Sequence, residues 1–89
     1  KSGSVMTALY RISDTDVEAA EFILHENTPH LGIPLKDLEI RKGFLIVALL
    51  HENQVVVPSG GTVLSPGDRV IVISHGQGIQ TFRDIFLKP

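Results

Sequence analysis

The stretch VVVPSGGTVLSPGDRVIV, Val55 to Val72, sets two runs of β-branched residues around two tight-turn signals, Pro58-Ser59-Gly60-Gly61 and Ser65-Pro66-Gly67-Asp68. Val and Ile suit the pleated, half-buried surface of a strand. Ser65 to Asp68 fits a type II turn, because proline presets φ near about −65° at the second position and glycine supplies positive φ at the third. Asp68 then stands where a short carboxylate bonds nearby backbone amides. Both turns are corners of a small, curved sheet, and RVIVIS leaves the second of them as a strand. Loops held by rigid strands carry either reactive groups or a partner-binding surface without chemistry.

The rest of the chain supplies the other strands. VMTALYRI, residues 5–12, reads as a strand followed by the polar turn SDTD. VEAAEFILHE is locally ambiguous: Ala, Glu and Leu favour helix, and Ser13 with Asp16 forms a capping box, yet Glu18, Ala20, Phe22 and Leu24 step by two. The period of two and the hairpin setting favour a strand. Between residues 27 and 43 two prolines and two glycines limit any helix to a turn or two. Pro34 suits the first turn, with Leu35 and Leu38 inward, so a short helix from Pro34 to Leu38 is expected. FLIVALLH, residues 44–51, is continuously apolar, the pattern of a strand covered on both faces; the polar ENQ and then VVVP complete a hairpin. In the tail, Ile79, Phe82, Ile85 and Phe86 recur at helical spacing, which predicts a short amphipathic helix stopped before Pro89. The expected fold is α+β: about five strands in a small curved mixed or antiparallel sheet, a short helix after the second strand and a C-terminal helix.

Eighty-nine residues make one domain with one core. A domain of this size buries only about 60–65% of its unfolded surface, so pairing with a second copy would add stability. A formal charge of −2, with no basic run beyond Arg41-Lys42, disfavours a nucleic-acid partner, whose phosphates call for a cationic cluster. The longest apolar run, Phe44 to Leu50, is far short of the roughly 20 residues of a membrane-spanning helix. The chain has no cysteine, which removes disulfides, thiolate zinc sites and a cysteine nucleophile. The opening KSGS lacks an initiator Met and runs straight into strand-like sequence, as expected of a piece of a longer protein rather than a secretory leader.

These elements resemble the TrkA-C domain, the C-terminal subdomain of the RCK proteins that regulate potassium transport. The resemblance rests on Glu21-Phe22, on Gly32 with Leu35 and Leu38, and on Gly43 with Ile46 and Leu49. It continues through Val55, Pro58, Gly60 or Gly61, Thr62, Leu64, Gly67, Asp68, Val70 and Val72. It covers about residues 17–74, and the leading hairpin is similar to the junction that follows a nucleotide-binding domain in TrkA-type proteins. Residues 1–16 are thus read as junction and 17–89 as the regulatory domain. No G-x-G-x-x-G is present, so dinucleotide binding of the Rossmann kind is not expected of these residues.

The resemblance implies a regulatory module rather than an enzyme. Such domains pair about a two-fold axis in the cytoplasm, follow an RCK nucleotide-binding domain, and reach the inner membrane only through a potassium transporter subunit. Some bacterial relatives bind cyclic di-AMP between the paired domains. On that likeness Arg41, in LEIRKG, would address a phosphate, for which a guanidinium fork is suited; Leu31, Ile33, Leu45 and Pro58 would line the slot. Phe44 and Leu45 stand where those relatives carry a polar residue. The plainer alternatives are a surface charge paired with Glu39 for Arg41 and ordinary core or dimer packing for the apolar residues. A pairing-only module is the first competing function, and a regulatory domain fused to a cation/proton antiporter or an anion transporter is the second.

The remaining polar residues suggest little chemistry. His25, His30, His51 and His75 show no i, i+4 pairing of a zinc site, so surface histidines are expected. Asp14, Asp16, Asp37 and Asp68 sit in turn or cap contexts. Ser59 lacks the G-x-S-x-G order and the strand-to-helix setting of a nucleophile loop.

Overall fold

The computed structural model describes residues 3–88. Five strands, β1 (Ser4–Arg11), β2 (Val17–Leu24), β3 (Phe44–His51), β4 (Gln54–Val56) and β5 (Arg69–His75), form one sheet in the order β1-β2-β5-β3-β4. Every pairing is antiparallel. The ambiguous segment after SDTD is therefore a strand, as its period of two predicts, and it lies beside central β5. The β3–β4 hairpin turns at Glu52 and Asn53, both at positive φ, the backbone of a twist-matched two-residue turn. Gly67 adopts φ 89° in the turn where Asp68 N donates to Ser65 O at 3.1 Å, as expected from Pro66-Gly67.

Cross-strand register sorts the side chains, since directly opposed residues share a face. One face carries the rows Leu9, Ala20, Val72, Ile46 and Met6, Phe22, Val70, Leu49, Val56. Most of these are buried and form the core with Leu24 and Phe44. Leu64, Ile79, Phe82, Ile85 and Phe86 come down on that face from outside the strands and are likewise buried. Phe82 packs between Phe22 and Phe86, with ring centroids 5.6 Å and 5.2 Å away. Each such ring contributes roughly 1.5–3 kcal/mol by leaving water.

Both expected helices are corrected. The tail forms only a 3-10 turn at Phe82–Ile85, although all four of its predicted inward residues are buried. The chain then extends: Arg41 N donates to Ile85 O at 2.7 Å and Leu87 N to Glu39 O at 2.9 Å, around an Ile40–Phe86 bridge. A helix would have required those groups internally. The segment after β2 likewise holds just a 3-10 turn, Leu35–Asp37, which stops where Leu38 turns extended at ψ 143° and the chain runs on into the Ile40–Phe86 bridge. The fold is therefore a small antiparallel sheet covered by loops, not α+β. β4 also stops before Pro58, which lacks the N–H a longer edge strand would need.

The opposite face of the sheet is different. Its rows are Tyr10, Ala19, Ile73, Leu45, then Ala8, Glu21, Ile71, Ala48, then Val5, Ile23, Arg69, Leu50, Val55. None of these residues is buried, and Leu45 is 61% and Val55 77% exposed.

Candidate ligand-binding site

Arg41 leaves the short 39–41 ladder at the end of the sheet where β3 begins. Its guanidinium reaches across to the loop after β5, donating from Nη2 to Gln77 Oε1 at 3.3 Å and from Nη1 to Asp84 O at 3.4 Å. Gln77 is itself held, its Nε2 donating to Lys42 O at 2.7 Å. That contact needs Gly43, which sits at φ 96°; a Cβ there would lie 2.7 Å from Gln77 Nε2 and 3.0 Å from His75 O. Arg41, Phe44, Gln77, Gly78, Gln80 and Asp84 line an open hollow of about 320 Å³.

Among the described residues no carboxylate lies within ion-pair distance of Arg41. The ion pairs among the described residues are Arg11–Glu18, Arg69–Glu21 and those of His51 and His75. Arg41 is in none of them, so the pairing with Glu39 is absent. The Asp84 carboxylate accepts from Thr81 N at 3.3 Å instead. Two long bonds to neutral oxygens leave a guanidinium able to exchange them for a phosphate or carboxylate, which it can bind through two parallel, shorter bonds.

The other expected slot residues lie elsewhere. Ile33, 40% exposed, lines a separate hollow of about 330 Å³ with His30, Leu38, Glu39 and Phe86. There the His30 ring packs on Phe86 at 4.6 Å, and its Nε2 lies 2.8 Å from Lys88 O. Leu31 is half-buried against the core, and Pro58 is half-buried beside the Ser59–Thr62 turn. Leu45 lies on the open face of the sheet, the side away from Phe44. Within one copy, then, Arg41 shares its hollow with Phe44 and not with Leu31, Ile33, Leu45 or Pro58.

One polar pair was not foreseen. His51 Nδ1 lies 2.6 Å from Oδ1 of Asp68, whose side chain is 2% exposed; Asp68 Oδ2 accepts from Ser65 N at 2.9 Å. Asp68 thus bonds the turn amide, as its position predicted, and also ties β5 to the β3–β4 hairpin. The imidazole pKa is raised, first by the hydrogen bond to Asp68 and then by that carboxylate's charge. The two residues are 17 apart in sequence, so no local spacing marks them. They meet because Leu50 pairs with Arg69, which sets the next residue of one strand against the preceding residue of the other. His75 has its own carboxylate, Asp16, at 3.3 Å, so surface exposure alone describes neither.

Comparison with known proteins places this geometry in context. The family model for the TrkA-C domain matches residues 19–87. A Trk system potassium uptake protein TrkA homolog 2 of Methanosarcina mazei is 25% identical over 94% of this chain and 19% of its own length. The Trk system potassium uptake protein TrkA of Azorhizobium caulinodans is 34% identical over 68% of this chain and 13% of its own. The K(+)/H(+) antiporter NhaP2 of Shewanella sp. (strain ANA-3) is 32% identical over 78% of this chain and 12% of its own. The chain therefore spans less than a fifth of the length of each of these relatives.

Proposed function

The chain belongs to the TrkA-C domain family, and on that footing we propose that it is the ligand-sensing, pairing module of a Trk- or Ktr-type potassium uptake system. In this reading it acts in the cytoplasm without catalysis, with residues 1–16 as the junction from an RCK nucleotide-binding domain. Two copies form a homodimer, and its state is passed to the membrane transporter subunit. The ligand is cyclic di-AMP: Arg41 takes a phosphate, and Leu31, Ile33, Leu45 and Pro58 supply apolar surface from the two copies. The observation that carries this is the Arg41 guanidinium, outside every ion pair among the described residues and held at the rim of a hollow by neutral acceptors. Because Leu45 and Ile33 lie away from that hollow, the slot needs both copies to be complete.

Regulation of this kind requires the ligand to bind two arrangements of the pair unequally, typically by about 1–3 kcal/mol. Calorimetry of the 89-residue chain with cyclic di-AMP tests the reading. Heat of binding and a thermal shift that weaken in Arg41→Ala support it. Unchanged affinity in that variant removes Arg41 from the site, and no heat or shift at high micromolar ligand leaves pairing alone as the function. The antiporter relative favours one second reading, a regulatory domain fused to a cation/proton antiporter. The sequence preceding Lys1 decides between them: a glycine-rich dinucleotide fingerprint for the first, a series of ~20-residue apolar spans for the second.

A further inference from the structure

An antiparallel sheet with one face in water alternates apolar and polar residues along each strand. Here the alternation fails. The face away from the core carries Leu45, Ile71, Ile73 and Ile23 in adjoining rows; Leu45 is exposed, and the three isoleucines are half-buried but none is taken into the core. This is the same fact that the unbroken apolar run of β3 expresses in sequence: a strand built to be covered twice, and covered once.

Two charged residues interrupt this surface, Glu21 on β2 and Arg69 on β5, and they face each other at 3.5 Å. Thr7 on β1 holds the carboxylate in place, donating to Glu21 Oε1 at 2.7 Å. Both side chains are already partly shielded, Glu21 at 30% and Arg69 at 43% exposure. A two-fold axis lying in the seam and bisecting the line between them sets each carboxylate over the other copy's guanidinium. The surface is then complementary to itself, as an isologous contact requires. Covering it leaves no charge unpaired, which avoids the main penalty of burying ions. The four strands of seven or eight residues, at about 4.8 Å spacing and about 3.3 Å rise, give a face of roughly 14 Å by 23 Å, with the three-residue β4 at its edge. Counted on both copies with β4 included, its flat area is about 750 Å², and the relief of the side chains standing on it adds to that toward the about 1,000 Å² that marks a specific interface.

We propose that this open face is the seam of the homodimer, closed by a second copy with Glu21 and Arg69 reciprocally paired across the axis. The proposal rests on the reading that the domain pairs, and adds which surface does so and what sets its register. Of the residues named for the ligand slot the seam takes in Leu45 alone, since Leu31 packs against the core and Ile33 lines the hollow beside Phe86.

Sedimentation equilibrium of the 89-residue chain and its variants tests this, with circular dichroism confirming that each variant is folded. Leu45→Asp, at a site 61% exposed in the single copy, is expected to raise the dimer Kd by about 30-fold or more, the loss typical of an apolar anchor that pairing buries. Leu87→Asp, equally exposed at 59% but outside the sheet, should leave it within about threefold. Glu21→Arg should also weaken pairing, and the double exchange Glu21→Arg with Arg69→Glu should restore it to within about tenfold of the native value. A dimer that survives both Leu45→Asp and Glu21→Arg pairs through another surface and overturns the proposal. A native chain that stays monomeric at millimolar concentration overturns the pairing reading itself.

Discussion

Three glycines separate the cost of backbone conformation from the cost of crowding, and the structure orders them. Gly61 has ordinary φ and nothing within 4 Å of an added Cβ. Gly67 is equally open but sits at φ 89° in the turn before β5. Gly43 combines φ 96° with a Cβ position 2.7 Å from Gln77 Nε2 and 3.0 Å from His75 O. Gly61→Ala should therefore be neutral or stabilise by about 0.4–1 kcal/mol, through the narrower unfolded ensemble. Gly67→Ala should cost about 1–2 kcal/mol, the penalty of a Cβ in the left-handed region. For Gly43→Ala the same penalty applies, and a further ~1–3 kcal/mol follows from overpacking against a strand carbonyl that cannot retreat. Urea denaturation of the three variants, with free energies extrapolated linearly and slopes compared, reads these differences directly. Equal losses at Gly67 and Gly43, or a loss at Gly61 as large as either, would refute the reasoning. Because Gln77 is the side chain a Cβ at Gly43 displaces, Gly43→Ala should also free Arg41 from one of its two acceptors.

The His51–Asp68 pair predicts a pH dependence. With the folded pKa of His51 raised, its contribution is complete below the ordinary histidine value of about 6.5 and is lost as pH rises through the higher folded value. The Tm of the native chain should fall relative to that of His51→Gln between pH 6 and pH 9, read by circular dichroism; parallel curves would show that the pair is not coupled to folding. Ser74 Oγ is buried without a hydrogen-bond partner, so Ser74→Ala should keep or raise stability by up to about 1 kcal/mol in chemical denaturation. Phe82 is fully buried between two rings. Phe82→Ala should cost about 3–5 kcal/mol, a large part of the stability of a domain this size, and show as lost cooperativity on heating.

Local chemistry carried much of this fold into the sequence. Pro66-Gly67 specified its turn through fixed φ and glycine's freedom, and Gly67 takes the positive φ expected. The period of two from Glu18 to Leu24 marked β2 correctly against its helix-favouring composition, because burial on one face outweighs propensity. In the tail the inward residues were legible and the helix was not. Ile79, Phe82, Ile85 and Phe86 are buried, but backbone bonds to Glu39 and Arg41 draw the chain out beyond Ile85. Of the candidate site, Arg41 is an exposed cation at a hollow, whereas the apolar residues named with it are dispersed over the core, a second hollow and the far face.

The sequence by itself determined where the strands run, where two of the turns close and which residues leave water, because each depends on the conformational and solvation preferences of neighbouring side chains. Tertiary structure alone decided that both short helices shrink to single turns, that His51 meets Asp68, and that Leu45, Ile71 and Ile73 share the sheet face away from the core. Each of these depends on strand register or on hydrogen-bond partners far along the chain, and those are fixed only when the whole sheet assembles.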